Sequence, residues 1–197
     1  MISVSEFASI GQDVTIWPLA KIVSPEVISI GDSVIIDDFV FIVGGEETVI
    51  GNFVHIASFT SITGGGKFVM EDFTTLSSGV RIFTGNDDYS GGCLTGSAVP
   101  APYRIPIRSF ICIRKHAIIG AEAVILPGVT IGRGVVIGAN SLVKKDCEPW
   151  TVYAGSPARA IKSRPKKRIL ELEDQLRDEL YDLEGNYVSK LDREQWG

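Results

Sequence analysis

Residues 113–143 read IRKHAIIGAEAVILPGVTIGRGVVIGANSLV, and within them Ile113, Ile119, Ile125, Ile131, Ile137 and Val143 fall six residues apart without a break. A six-residue interval matches neither the 3.6 period of an amphipathic helix nor the period of two of a simple strand. It suits short strands joined by tight corners, three strands making one triangular coil. The same interval runs upstream through the triplets Ile10, Ile16, Ile22; Ile30, Ile36, Ile42; Ile50, Ile56, Ile62; and Met70, Leu76, Ile82. The first four coils start 20 residues apart, because each third side carries two extra residues, and the last two start 18 apart. The chain is therefore expected to be all-β, a parallel β-helix of about six coils. Small or β-branched residues four places after the aliphatic, such as Val34, Thr60, Thr74, Ala123 and Ser141, fill the narrow interior. Glycine directly after it, as at Gly11, Gly31 and Gly51, is expected to relieve the corner backbone. An antiparallel sandwich is the alternative, and the regular spacing argues against it. The hand of the coil does not follow from spacing, since the general crossover rule favours a right-handed path.

Two segments break the repeat. Between Ile82 and Ile113 lies FTGNDDYSGGCLTGSAVPAPYRIPIRSF, an excursion loop over residues 85–108 whose aromatics and paired charges point to a functional loop rather than a disordered one. After Val143, Pro149, Gly155 and Pro157 are expected to end the prism. From about Pro165 to Leu183 the spacing of Ile169, Leu172, Leu176, Leu180 and Leu183 predicts an α-helix, docked either on its own coils or on a neighbouring chain. This divides the sequence into a β-helix domain at 1–162 and a helical extension at 163–197.

Composition narrows the function. The chain has 197 residues and a formal net charge of −5, which disfavours a nucleic-acid or anionic-membrane binder. No stretch is apolar over the roughly 18 residues of a membrane span, and no export leader is evident, so a cytoplasmic protein without membrane insertion is expected. Three scattered cysteines, Cys93, Cys112 and Cys147, suggest neither disulfides nor a zinc cluster. The Gly64-Gly65-Gly66 run lacks Walker spacing and reads as a flexible corner. Ser58, Ser61, Ser77 and Ser78 lie in no Gly-x-Ser-x-Gly elbow.

The segment AIIGAEAVILPGVTIGRGVVIGANSLVKKDCEPWTVYAGSPARAI ends in a Gly-x-Pro-Ala pattern. It resembles the hexapeptide-repeat acyltransferases, particularly the carbohydrate branch of maltose, galactoside and lipopolysaccharide O-acetyltransferases, over about Ile10 to Arg164. The resemblance implies a left-handed β-helix, a homotrimer with sites between chains, and acetyl-coenzyme A as co-substrate, with no metal. It places coenzyme contacts on Ala121, Ala139, Lys144, Arg159 and Lys162. The small alanines would expose backbone to the amide-rich pantetheine arm, and the cations would meet phosphates. The implied activity is O-acetylation of a sugar hydroxyl, with N-acetylation of a nucleotide-linked amino sugar as the alternative and a noncatalytic scaffold as a second. The three-histidine zinc site of γ-type carbonic anhydrases, built on the same architecture, is not met by two histidines 61 residues apart.

Members of this branch usually carry a catalytic histidine on the loop leaving the fourth coil. Here that segment is Thr84, Gly85, Asn86, Asp87, Asp88, Tyr89, so the resemblance leaves Asn86, Asp87, Asp88 and Tyr89 as acceptor-binding candidates without an imidazole. His55, in GNFVHIASF, corresponds to an acceptor-pocket position and is the candidate general base, with Asp87 or Asp88 expected to orient it. His116 is expected on the surface.

Overall fold

The computed structural model describes residues 6–188. The chain winds as a triangular parallel β-solenoid, with two faces of six strands and one of eight. The first face holds Ser9–Ile10, Ile28–Ile30, Glu47–Ile50, Lys67–Met70, Phe110–Ile113 and Thr130–Ile131. The second begins at Thr15–Ile16 and continues through Ile35–Ile36, His55–Ile56, Thr75–Leu76, Ile118–Ile119 and Val136–Ile137. The third runs from Lys21–Val23 to Leu142–Val143.

Register follows the sequence period: Ile30 pairs with Ile50, Ile36 with Ile56 and Ile42 with Ile62. It survives the excursion, Met70 pairing with Ile113 and Leu76 with Ile119. Sixteen of the eighteen periodic aliphatics are buried; Ile10 and Ile16 are only partly so, because among the described residues no strand pairs with theirs from below. Each buried isoleucine contributes about 1.5–3 kcal/mol of transfer free energy. Hydroxyls enter this interior with their bonds made. Thr60 Oγ1 donates to the Ser77 carbonyl at 3.1 Å, Thr74 Oγ1 to that of Glu71 at 2.7 Å, and Ser141 Oγ to that of Gly138 at 2.7 Å.

The glycines after the aliphatics relieve the backbone as expected: a Cβ on Gly31 would stand 2.8 Å from the Gly51 carbonyl carbon, so glycine permits close approach of successive coils. The left-handed corner positions are filled by other residues, including Phe53, Phe73, His116 and Trp150. Their strain is offset by ring contacts stacked up the edge between the first and second faces: Phe53 to Phe73 at 4.8 Å, Phe73 to His116 at 5.4 Å and His116 to Trp150 at 6.0 Å. One expectation needs correction: the prism does not end at Val143. Cys147 bridges to Ile131, and Thr151–Ala154 adds to the second face parallel to Val136–Ile137, starting a seventh coil before Arg159–Ser163 turns back antiparallel.

The helix α1 spans Lys167–Leu180 and returns along the aromatic edge of its own prism. Its seat is more polar than the predicted leucine stripe: Glu173 and Leu180 are the buried helical residues, whereas Leu172 is 47% exposed. Glu173 accepts from Lys115, from Arg177 at 2.9 Å and from Arg133 at 3.5 Å, and lies 2.6 Å from His116 Nε2. His116 is thus a covered corner residue rather than a surface one, because α1 and Trp150 close over it. Arg164 ties the connecting strand down by donating to the His116 and Gly134 carbonyls. Residues 1–5 of the expected domain and 189–197 of the expected extension lie outside the described residues.

Candidate active site

His55 opens its short strand on the second face, with Ile35 one coil below and Thr75 one coil above. Alternation along the strand buries Ile56 in the core and turns His55 outward, 44% exposed. Its Nε2 lies 3.2 Å from Oδ2 of Asp37. Asp37 is two residues past Ile35, so it sits one coil beneath Ala57 and diagonal to His55, a contact range for long side chains across paired strands. The acid that meets the imidazole is therefore Asp37, not the expected Asp87 or Asp88. The 20-residue period carried the signal, since Asp37 is 18 residues before His55 and falls on the same outward row.

The excursion leaves from the opposite corner, between the third and first faces. Its stem is a two-stranded ribbon in which Gly85–Asn86 pairs antiparallel with Ile107–Arg108. The Gly64-Gly65-Gly66 run is the seat of this stem rather than a loose corner. A Cβ on Gly66 would meet the Ser109 carbonyl oxygen at 2.0 Å, and one on Gly64 the Gly85 nitrogen at 2.3 Å. Asp87 Oδ2 accepts from the Gly96 amide at 3.0 Å. Asp88 accepts from the Ser90 hydroxyl and amide and from the Gly92 amide, bonds that hold its carboxyl below the usual range. Both acids thus shape their own loop, Asn86 belongs to its stem, and Tyr89 projects into solvent.

The predicted coenzyme residues divide by location. Ala121 and Ala139 stack at the corner between the second and third faces, where the Asn140 amide donates to the Ala121 carbonyl at 2.8 Å. This corner changes character along the prism. Its lower coils carry exposed Leu19, Phe39 and Phe59, and its upper coils only small or polar side chains such as Gly79, Ala121 and Ala139. Gly138 keeps the upper corner tight, a Cβ there meeting that of Ala154 at 2.9 Å. Lys144 and Arg159 come together on a cavity of about 180 Å³ that Tyr153 and Ala158 also line. Lys162 stands apart on the exposed outer strand Arg159–Ser163, opposite Val152. Among the described residues no cluster of three or more His, Cys, Asp or Glu side chains is placed to hold a metal ion.

Residues 113–145 match the family model described as bacterial transferase hexapeptide (six repeats). The chain overlays a variant of AntD, an N-acyltransferase from Bacillus cereus solved in complex with dTDP and coenzyme A. The TM-score is 0.83 at 40% identity, over 89% of this chain and 94% of that one. The chain belongs to the hexapeptide-repeat acyltransferase family. Like other hexapeptide-repeat acyltransferases it is a left-handed parallel β-helix, here of about seven turns with one C-terminal helix. A second relative of this hexapeptide acyltransferase is the dTDP-4-amino-4,6-dideoxy-D-glucose acyltransferase of Escherichia coli, 44% identical over 97 residues. That match covers 49% of this chain and spans about half (50%) of the length of the relative. A maltose O-acetyltransferase from Clostridium difficile 630 overlays less closely, with a TM-score of 0.56 at 25% identity over 82% of this chain and 72% of that one.

Proposed function

We propose that this protein transfers an acyl group from an acyl-coenzyme A to the amino group of a nucleotide-linked amino sugar. The observation that carries the reading is the near full-length likeness at 40% identity to an N-acyltransferase crystallised with dTDP and coenzyme A. The E. coli relative, named for a dTDP-linked amino sugar, points the same way. O-acetylation of a sugar hydroxyl takes second place, because its representative is the more distant maltose enzyme. Acetyl is the simplest acyl group; AntD has also been solved with 3-hydroxybutyryl-CoA, so a longer donor belongs within the proposal.

The upper coils fit the coenzyme. Ala121 and Ala139 keep that corner free of bulky side chains, the access an amide-rich arm needs, while Lys144, Arg159 and Lys162 supply cations for phosphates. The coenzyme supplies an activated thioester. His55 accepts a proton from the amine nitrogen as the new C–N bond forms, and the C–S bond breaks with the electron pair leaving on sulfur. The imidazolium then returns its proton to the thiolate, leaving the base ready for another turnover.

We also propose a homotrimer. His55 and the excursion stem lie on different sides of one prism, so a neighbouring chain is what brings a loop to the histidine. Trp17, Leu19, Ile35, Phe39 and Phe59 form exposed apolar surface on the lower coils, and surface of this kind favours association. No helix among the described residues is long and apolar enough to cross a membrane.

The test is product formation. Purified protein is incubated with acetyl- or 3-hydroxybutyryl-CoA and dTDP-linked 4-amino sugars, with hydroxyl-only dTDP-sugars and free maltosides in parallel. Mass detection of an amide product with release of free thiol supports the proposal; acylation of the hydroxyl sugars alone refutes it. The His55→Ala variant should keep coenzyme affinity and lose about 10²-fold in rate. A smaller loss is expected to the extent that the amine attacks already deprotonated.

A further inference from the structure

We infer that Asp37 is a positioning residue that holds His55 as the Nε2–H tautomer, leaving Nδ1 as the nitrogen that receives the proton of the acceptor amine. The inference rests on His55 acting as the base. It adds which ring nitrogen does the work and which side chain decides it.

The chemistry of the pair sets the direction of the bond. A carboxylate offers only acceptors, so the imidazole nitrogen facing Asp37 Oδ2 at 3.2 Å must carry the hydrogen. A neutral imidazole has one N–H, and with it committed to Nε2 the lone pair resides on Nδ1. Among the described residues, Asp37 is the one side chain bonded to this ring. The flanking positions on the second face, Ile35 and Thr75, carry no competing charge.

Both partners are held by backbone on either side of the contact. The Asp37 amide donates to the Ile56 carbonyl at 3.0 Å, and the amide of Ala57 to that of Leu76 at 2.9 Å. The tandem acids divide their duties: Asp38 Oδ1 accepts from the Leu19 amide at 2.8 Å and closes the corner, while Asp37 is turned to the imidazole. A pair this exposed adds little to folding, so stability alone does not account for an acid placed there. Orientation does, because an unpaired ring would interconvert between tautomers and present the wrong nitrogen part of the time.

The test uses the full-length homo-oligomer, with circular dichroism and melting confirming that each variant is folded. Asp37→Asn keeps the shape but offers the ring an amide N–H as well as an oxygen. It should lower kcat about tenfold, less than His55→Ala does, while leaving the KM for acyl-CoA within about twofold. Asp37→Glu, which keeps the carboxylate, should recover part of the loss. In Asp37→Asn/His55→Ala the rate should fall no further than in His55→Ala, since the acid acts through the ring. Long-range 1H–15N correlation reads the tautomer directly. Two histidines give two ring systems, and His55 is assigned by its loss in His55→Ala. The wild type should show a protonated Nε2 and a bare Nδ1, and Asp37→Asn a mixed or reversed pattern. A wild-type ring protonated on Nδ1, or an Asp37→Asn enzyme at full rate while His55→Ala is impaired, overturns this inference alone. A full rate in His55→Ala overturns the assignment of the base and this inference with it.

Discussion

Replacing Glu173 with glutamine is expected to loosen α1 and cost about 2 kcal/mol of stability. The side chain is 8% exposed and forms the hub between the helix and the prism, meeting Lys115, His116, Arg133 and Arg177. Burial alone would push its carboxyl up, but hydrogen bonds from Lys115, Arg177 and His116 outweigh that and hold it down, from 4.5 to about 2. A drop of that size corresponds to roughly 3 kcal/mol at neutral pH. Water around the Arg133 and Arg177 head groups screens part of it, which leaves about 2 kcal/mol. For a chain of this length that lowers Tm by about 4–8 °C. The carboxylate's contribution is present above pH 4.5 and is lost as pH falls towards about 2. His116 adds an earlier loss. Burial lowers its pKa below 6.5 despite Glu173, so the unfolded chain takes up the proton first and stability declines as pH drops below 6.5. Thermal unfolding at fixed protomer concentration from pH 8 to 2, with limited proteolysis at the helix, measures both effects. If Glu173→Gln melts within about a degree of wild type, with α1 equally protected, the ionic hub does not hold the helix.

Further outcomes are open to measurement. Lys144→Ala and Arg159→Ala should each weaken coenzyme binding by about 1.5–3 kcal/mol in calorimetry, the worth of one charge-assisted bond, without altering nucleotide-sugar affinity. Lys162→Ala, on the outer strand, should have a smaller effect. Light scattering should give about three times the 21.3 kDa chain mass, and Phe39→Asp/Phe59→Asp should shift it towards monomer, because two charges would then occupy an exposed apolar corner. A clean wild-type monomer at micromolar concentration would sink the shared-site reading. A thiol reagent at pH 8 should label Cys93 first, since burial pushes Cys147 up to about 11 and also raises Cys112. Rapid labelling of Cys147 in the folded protein would contradict its place in the seventh coil.

The amino-acid sequence by itself determined the solenoid, its register and the place of its excursion. A coil stacks on its predecessor through identical positions, so burial of Ile36, Ile56, Leu76 and Ile119 is written as a spacing. It marked the 85–108 loop, whose stem strands are local, and the small residues of the upper corner. It put sugar hydroxyls ahead of amines, an order that the likeness to an N-acyltransferase reverses. Tertiary structure decided what depends on the meeting of distant segments. His116 looks like one charged surface residue among neighbours until the helix, 57 residues later, brings Glu173 against it. The seventh coil was hidden because it leaves the six-residue interval: Tyr153, which pairs with Ile137, is neither aliphatic nor a multiple of six residues away, and Pro149 and Pro157 flank its strand. Asp87 and Asp88 seemed the natural companions of His55, yet their carboxylates turn inward to satisfy amides of their own loop. Asp37 reaches the imidazole instead, because winding a 20-residue coil places outward side chains 18 residues apart on neighbouring rungs of the same face.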